Sequence, residues 1–418
     1  MSIIAYNNHN NQEQLFIENI ALNDIIKQHP TPFYCYSKKA IIDNYKRFDN
    51  AFIKHDITNY KICYAIKANF NPEIIKILAQ LNSGIDAVSA GEIAIALKSG
   101  INPSKIVFAG VGKTKDEIEF ALNNNILEFA VESIAEMHLL NEIAKLKDKK
   151  VKFHLRVNPD ISAKTHDKIS TGRKSDKFGV DIDLAFNIYQ QASKLSNLEI
   201  YGISTHIGSQ ITEIEPFVQA FAKISNLCQQ LKNANHNIQN IDLGGGIGIK
   251  YNNESLFDLD DYFKIIANIV KKFDVKITIA PGRAIMGNAG VLVSNVTYIK
   301  ETESKNFAII DAGMNDLARP GLYDSYHNIL LVNKIAANEK IYDFAGPICE
   351  TTDILAKNRK ISKLKANDKI VICDAGAYGS SMSSQYNCRG ITPEILVDDN
   401  NFKIIRQKQS FDDIAKIT

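Results

Sequence analysis

At 418 residues the chain is too long for one small domain, and its length suggests two or three. Apolar residues make up 45% and charged residues 23%, with acids and bases interspersed around a net charge of +2. That balance suits a soluble protein with a sizeable core and carries no nucleic-acid footprint. The polar, Asn-rich stretch Met1 to Gln14 lacks the basic and apolar blocks of a secretory signal. No later apolar run is long enough to span a membrane, so a cytoplasmic protein is expected. Cys35, Cys63, Cys228, Cys349, Cys373 and Cys388 lie scattered without paired spacing. They read as reduced thiols, neither a disulfide frame nor a zinc site, and no metal is expected.

From residue 60 to about 283 one pattern repeats: a short β-rich apolar run, a polar or glycine break, then a helical stretch. The predicted strands are Lys61–Lys67, Gly84–Val88, Ile106–Ala109, Leu127–Val131, Lys152–Asn158, Glu199–His206, Gln239–Leu243 and Lys276–Ala280. Helical segments begin near Pro72, Gly91, Lys115, Ile134, Asp183, Ile214 and Leu259. Eight strands joined by crossover helices predict a parallel α/β barrel, the (β/α)8 TIM barrel. An open doubly wound sheet fits the same elements locally, so the count carries the decision.

In such a barrel, function collects where strands end and helices begin. Lys67 closes the apolar strand Ile62 to Ile66, just before a helix start at Asn71-Pro72-Glu73. Desolvation there disfavours a charged amine, and a neutral amine is what a Schiff base with an aldehyde needs. A lysine that merely caps the strand, with its amine in water, is the structural alternative. The other strand ends carry Asp86 with Ser89, Arg156, His206 with Ser209, Gly244-Gly245-Gly246 and Pro281-Gly282-Arg283. Each has a plainer reading: Asp86 as a cap, Arg156 in an ion pair, His206 as a core histidine. Their joint appearance points to a site. The glycine run lacks both the dinucleotide and the P-loop pattern, yet residues without Cβ let backbone N–H groups approach an anion. Pro281-Gly282-Arg283, opening the next helical segment, offers a second anion-friendly terminus.

Tyr64-Ala65-Ile66-Lys67-Ala68-Asn69, His206-Ile207-Gly208-Ser209-Gln210, Gly244-Gly245-Gly246 and Pro281-Gly282-Arg283 resemble the fold-type III pyridoxal-phosphate decarboxylases. Four later segments resemble the diaminopimelate decarboxylase family within that group. They are the stretch from Ala163-Lys164-Thr165-His166 to Lys177-Phe178-Gly179, Ala318-Arg319-Pro320-Gly321-Leu322-Tyr323, Cys349-Glu350-Thr351 and Asp374-Ala375-Gly376-Ala377-Tyr378. The resemblance implies a pyridoxal-phosphate barrel over 37–290, with 1–36 and 291–418 forming one mainly β domain. It implies decarboxylation of meso-2,6-diaminopimelate to L-lysine, the last step of lysine biosynthesis, by a homodimer with shared active sites.

By the same resemblance Lys67 carries the cofactor, His206 stacks on its ring and Asp86 lies near it. Ser209, Gly246 and the Gly282-Arg283 backbone hold its phosphate, Gly245 and Pro281 are further cofactor-binding residues, and Tyr378 lies beside that phosphate and the substrate. Arg283, Arg319 and Tyr323 bind the carboxylate of the non-reacting substrate end, and Glu350 takes its ammonium. Cys349 is the acid that protonates the carbanion. The chain departs from the family at one position, with Ala280 where a glutamate normally meets the pyridine nitrogen. Alternative expectations are a decarboxylase of another basic amino acid or of carboxynorspermidine, or a weakly active cofactor-binding homologue.

Overall fold

The computed structural model describes residues 3–9, 12–162, 171–173, 176–334 and 338–416. The chain forms two compact units. One holds Tyr45–Ile249 and Ser255–Ala284, the other Met1–Asn44, Lys250–Glu254 and Ile285–Thr418.

In the first unit eight parallel strands pair in chain order. They are β1 (Tyr60–Ala65), β2 (Gly84–Ala87), β3 (Ile106–Phe108), β4 (Glu128–Val131), β5 (Val151–Asn158), β6 (Leu198–Thr205), β7 (Asn240–Asp242) and β8 (Lys276–Ile279). Strand β8 pairs back onto β1, with Ile279 opposite Ile62, so the ring closes. The fold is the barrel and not the open sheet.

Capping explains why the predicted helix starts fall within a residue of the observed ones. Asn71 Oδ1 accepts the Glu73 N–H at 3.0 Å ahead of Pro72, and Ser89, Thr114 and Ser133 cap the next three helices. Ser89 is therefore a helix cap. A further helix, Lys38–Lys54, lies outside the predicted set. Its Phe52 stacks on Tyr60 of β1 at 4.1 Å and meets Phe263 edge-on at 4.7 Å. It covers the barrel between the last strand and the first.

The barrel interior is layered. Near the strand starts, Lys61 Nζ meets Glu128 Oε2 at 2.7 Å, with His154 Nε2 at 3.3 Å from the other oxygen. Cys63, Val107 and Ala130 form an apolar plug. Buried charges at the strand starts need partners, and these have them. The C-terminal strand ends are left for chemistry.

The second unit is mainly sheet. Its long strand Gly290–Glu301 pairs with Phe33–Ser37 on one side and Asn306–Ile310 on another. Phe33–Ser37 in turn pairs with Glu394–Asp398, so the N-terminal segment is built into the domain as expected. Apolar side chains from Ile4 to Ile25 join Val291, Val293, Val371 and Ile395 in one core.

Candidate active site

Lys67 does not close β1. The strand stops at Ala65 and Lys67 sits in a 3-10 turn, Ile66–Ala68. The Ala65 N–H turns to the Pro281 carbonyl at 3.3 Å, while Asn69 N–H closes back on Ile66 O at 3.1 Å. Tyr64 Oη then donates to Asn69 O at 2.9 Å and holds the turn. Lys67 is thereby presented, half-buried, beside Asp86, Glu92 and His206, whose ionisation its charge biases.

Asp86 lies within β2, with Ala65 as its register partner, and it caps no helix. Burial pushes its carboxyl above the ordinary range, while Lys67 and Arg156 pull it back. Arg156 keeps its structural reading as well. Its Nη1 meets Glu132 Oε1 at 2.7 Å and its guanidinium lies 4.9 Å from the Phe178 ring centre. Glu132 Oε2 accepts the Gly179 N–H at 2.9 Å, so this pair anchors the end of the segment after β5. The motif part 163–170 lies outside the described residues. The sequence reading did not find Glu132, whose partner sits 24 positions away.

His206 follows β6 directly. The Gly245 N–H donates to its Nδ1 at 3.2 Å, which places the proton of the neutral ring on Nε2. Burial, then the charges of Lys67 and Arg156, hold the imidazole well below its usual range. It stays neutral at physiological pH.

The glycine run is zipped to the histidine loop. Ile211 N–H donates to Gly246 O at 2.9 Å, and Gln210 bonds Ile249 through both amide atoms at 2.6 and 3.1 Å. Gly246 has φ +101°, and a Cβ there would lie 2.5 Å from Gly208 O. At Gly245 a Cβ would lie 2.2 Å from Ala280 O. Neither position tolerates a side chain. Arg283 Nη2 donates to Ser209 Oγ at 3.0 Å and is buried. The helix it opens is only Arg283–Met286, so the expected anion-binding helix terminus reduces to a single turn. A Cβ on Gly282 would sit 3.1 Å from the Cβ atoms of Ala65 and Ala68. The barrel unit thus brings Lys67, Asp86, His206, Ser209, Gly245, Gly246, Pro281, Gly282 and Arg283 to one rim.

Ala280 leaves β8 with its N–H on Gly244 O at 2.7 Å and is 8% exposed. Asp242, at the end of β7, accepts from Gly244 N–H at 2.9 Å and Ser204 Oγ at 3.1 Å. Burial, then the nearby Asp86 charge, pushes its carboxyl up to about 6.

Residues 38–287 match the family described as pyridoxal-dependent decarboxylase, pyridoxal binding domain. The diaminopimelate decarboxylase of Aquifex aeolicus is 44% identical over 404 residues, covering 96% of this chain and 95% of that protein. The chain belongs to the diaminopimelate decarboxylase family. A solved structure of the Helicobacter pylori diaminopimelate decarboxylase complexed with L-lysine superposes with a TM-score of 0.91. It is 40% identical and covers 95% of this chain and 98% of that one. A solved structure of diaminopimelate decarboxylase from M. jannaschii in co-complex with L-lysine is 34% identical with a TM-score of 0.93. It covers 99% of this chain and 96% of that chain.

The remaining residues that the diaminopimelate decarboxylase resemblance singles out lie in the mainly β unit. Arg319 opens the short helix Arg319–Tyr323 and is buried, whereas Tyr323 at its end is half-buried. Cys349 and Glu350 are both exposed on a loop. Asn387 Oδ1 accepts the Cys349 N–H at 2.8 Å, and Tyr386 Oη donates to Glu350 Oε2 at 3.1 Å. Tyr378 holds a left-handed φ of 56°, a conformation that costs a non-glycine residue about 1–3 kcal/mol. Burial pushes neighbouring Asp374 up to about 6 against the pull of Arg319.

Proposed function

We propose that this chain decarboxylates meso-2,6-diaminopimelate at its D-centre, giving L-lysine and carbon dioxide with pyridoxal phosphate as cofactor. The observation that carries this reading is the near-full-length match, 44% identical, to a diaminopimelate decarboxylase. The barrel rim supports it. Gly246 and Gly282 pack too closely on Gly208, Ala65 and Ala68 to carry a side chain, so bare backbone is left at this rim, where buried Arg283 donates to Ser209. Bare backbone N–H groups suit a phosphate. The neutral His206 ring suits the face of an aromatic cofactor.

Bound pyridoxal phosphate supplies the electron sink for the pair left at Cα when carbon dioxide departs. Lys67 holds the cofactor through its amine, and Asp86 lies near it. Ser209 and the backbones of Gly246, Gly282 and Arg283 hold the phosphate, Gly245 and Pro281 contribute to the cofactor site, and Tyr378 stands beside the phosphate and the substrate. Arg283, Arg319 and Tyr323 receive the carboxylate of the non-reacting end, and Glu350 its ammonium. A guanidinium fork suits a carboxylate because it fixes orientation as well as charge. Cys349 Sγ delivers the proton that replaces carbon dioxide. The enzyme works as a cytoplasmic homodimer, in which one subunit's Cys349 and Glu350 complete the other's site. Their exposure in the single chain supports that arrangement.

Borohydride reduction and peptide mapping should place the pyridoxyl group on Lys67. Lys61 is paired with Glu128 at 2.7 Å and Lys113 with Glu136 at 2.6 Å, so neither amine is presented to a cofactor. Label on either of them overturns the assignment. Purified enzyme should release carbon dioxide from meso-diaminopimelate in preference to ornithine, lysine and carboxynorspermidine. A preference for ornithine ends the substrate reading.

A further inference from the structure

The guanidinium of Arg319 is held by a buried scaffold that none of the sequence motifs includes. His327, 0% exposed, stands with Nε2 2.9 Å from Arg319 Nη1 and Nδ1 2.8 Å from the Cys373 carbonyl oxygen. A carbonyl only accepts, so Nδ1 carries the proton and Nε2 offers its lone pair to the arginine. Tyr251 covers the guanidinium, its ring centre 4.6 Å from Cζ, and packs edge-on against His327 at 5.3 Å. His327 is itself fixed. Arg359 Nη2 donates to its backbone oxygen at 3.2 Å, and Cys373 N–H donates to Asn328 O at 2.9 Å. From there Ile329 and Ile372 are in register as strand partners.

We propose that His327 is a positioning residue that fixes the Arg319 fork for the carboxylate at the non-reacting end of the substrate. The inference rests on the reading of Arg319 given above. One N–H pinned by a neutral acceptor and one face covered by a ring leave the guanidinium little freedom to rotate. An arginine has five N–H donors, so a bond to His327 is compatible with a two-point grip on a carboxylate. A neutral imidazole serves this purpose better than an acidic residue would. A carboxylate in its place would neutralise Arg319 and compete with the substrate, whereas a lone pair orients the cation and keeps its charge.

The test uses holoenzyme carrying His327→Phe, His327→Gln or Arg319→Lys, with two unreactive probes. L-lysine keeps the non-reacting carboxylate; cadaverine lacks it. His327→Phe should weaken L-lysine binding and raise KM for diaminopimelate by about tenfold to a hundredfold, the range for a hydrogen bond to a charged group. Cadaverine binding, cofactor absorbance and kcat should stay within about threefold, since none of them depends on that grip. His327→Gln should recover part of the loss, because an amide can also accept from Arg319, and it decides the matter if His327→Phe does not fold. A merely structural histidine predicts the opposite split, with lower thermal stability and cofactor loss but both probes affected alike. If Arg319→Lys leaves L-lysine binding intact, the carboxylate reading of Arg319 fails and the proposal with it. If Arg319→Lys weakens binding and neither His327 variant does, the positioning proposal alone is overturned.

Discussion

Replacing Cys349 with alanine should lower kcat for diaminopimelate by roughly two to four orders of magnitude, the usual contribution of a positioned general acid. KM should change little, because a thiol in the proposed role would act after carbon dioxide has gone and not on the bound substrate's charges. The loop that presents Cys349 is built for placement. Its N–H is pinned by Asn387 Oδ1 at 2.8 Å, within a turn where Asn387 and Cys388 both hold left-handed backbone, φ 55° and 53°. Non-glycine residues adopt that conformation at a cost of about 1–3 kcal/mol each and keep it only where the surroundings enforce it. Glu350, next in sequence, is tied to Tyr386 of the same turn at 3.1 Å. In D2O the parent should place deuterium stereospecifically on the new methylene. Cys349→Ala should lose that stereospecificity, since solvent then delivers the proton from either side. A kcat within about threefold of the parent, with stereospecific labelling kept, would remove Cys349 from the proton-transfer role.

The barrel was legible because each of its signals is local. Alternating apolar runs mark the strands, and Asn71, Ser89, Thr114 and Ser133 mark the helix starts within three residues of the chain they cap. Lys38–Lys54 escaped a reading based on strand-then-helix units because it precedes the first strand. The turn at Lys67 escaped for another reason. One of its contacts runs from the Ala65 N–H to the Pro281 carbonyl, which is remote in sequence and adjacent only once the ring has closed. Separation also explains the ion pairs. Lys61 and Glu128 are 67 positions apart, and His327 reaches the Cys373 carbonyl across 46. No periodicity links such residues. The three lysines Lys61, Lys67 and Lys113 look alike in sequence. The structure separates them, since two are buried against glutamates and the third faces the rim.

Ala280→Glu should raise kcat roughly ten- to a hundredfold, if a charge-assisted hydrogen bond worth about 1.5–3 kcal/mol is restored in the transition state. The position is prepared for an inward side chain. Thr278 Oγ1, two residues earlier on β8, accepts from Asn240 Nδ2 at 2.9 Å, and Ala280, just past the strand end, continues that face. Two carboxyls of the barrel, Asp86 and Asp242, are already raised by burial. Asp242 has each oxygen engaged, by Gly244 N–H and Ser204 Oγ, and so has little left to offer a ligand. Asp86 instead faces the charges of Lys67 and Arg156. A third carboxylate in this environment is unfavourable unless it meets a cation, and the protonated pyridine nitrogen of a bound cofactor is such a cation. The substitution should therefore lower the stability of the cofactor-free protein and restore it when pyridoxal phosphate is added. Phosphate binding should change less, because the backbone at Gly246 and Gly282, proposed to hold the phosphate, is fixed by close packing on Gly208, Ala65 and Ala68. Thermal melts with and without cofactor, together with steady-state rates, distinguish the outcomes. An unchanged or lower kcat in a fully loaded Ala280→Glu protein would show that Asp86 or an ordered water already serves the nitrogen. The alanine would then mark a different route to the same electron sink.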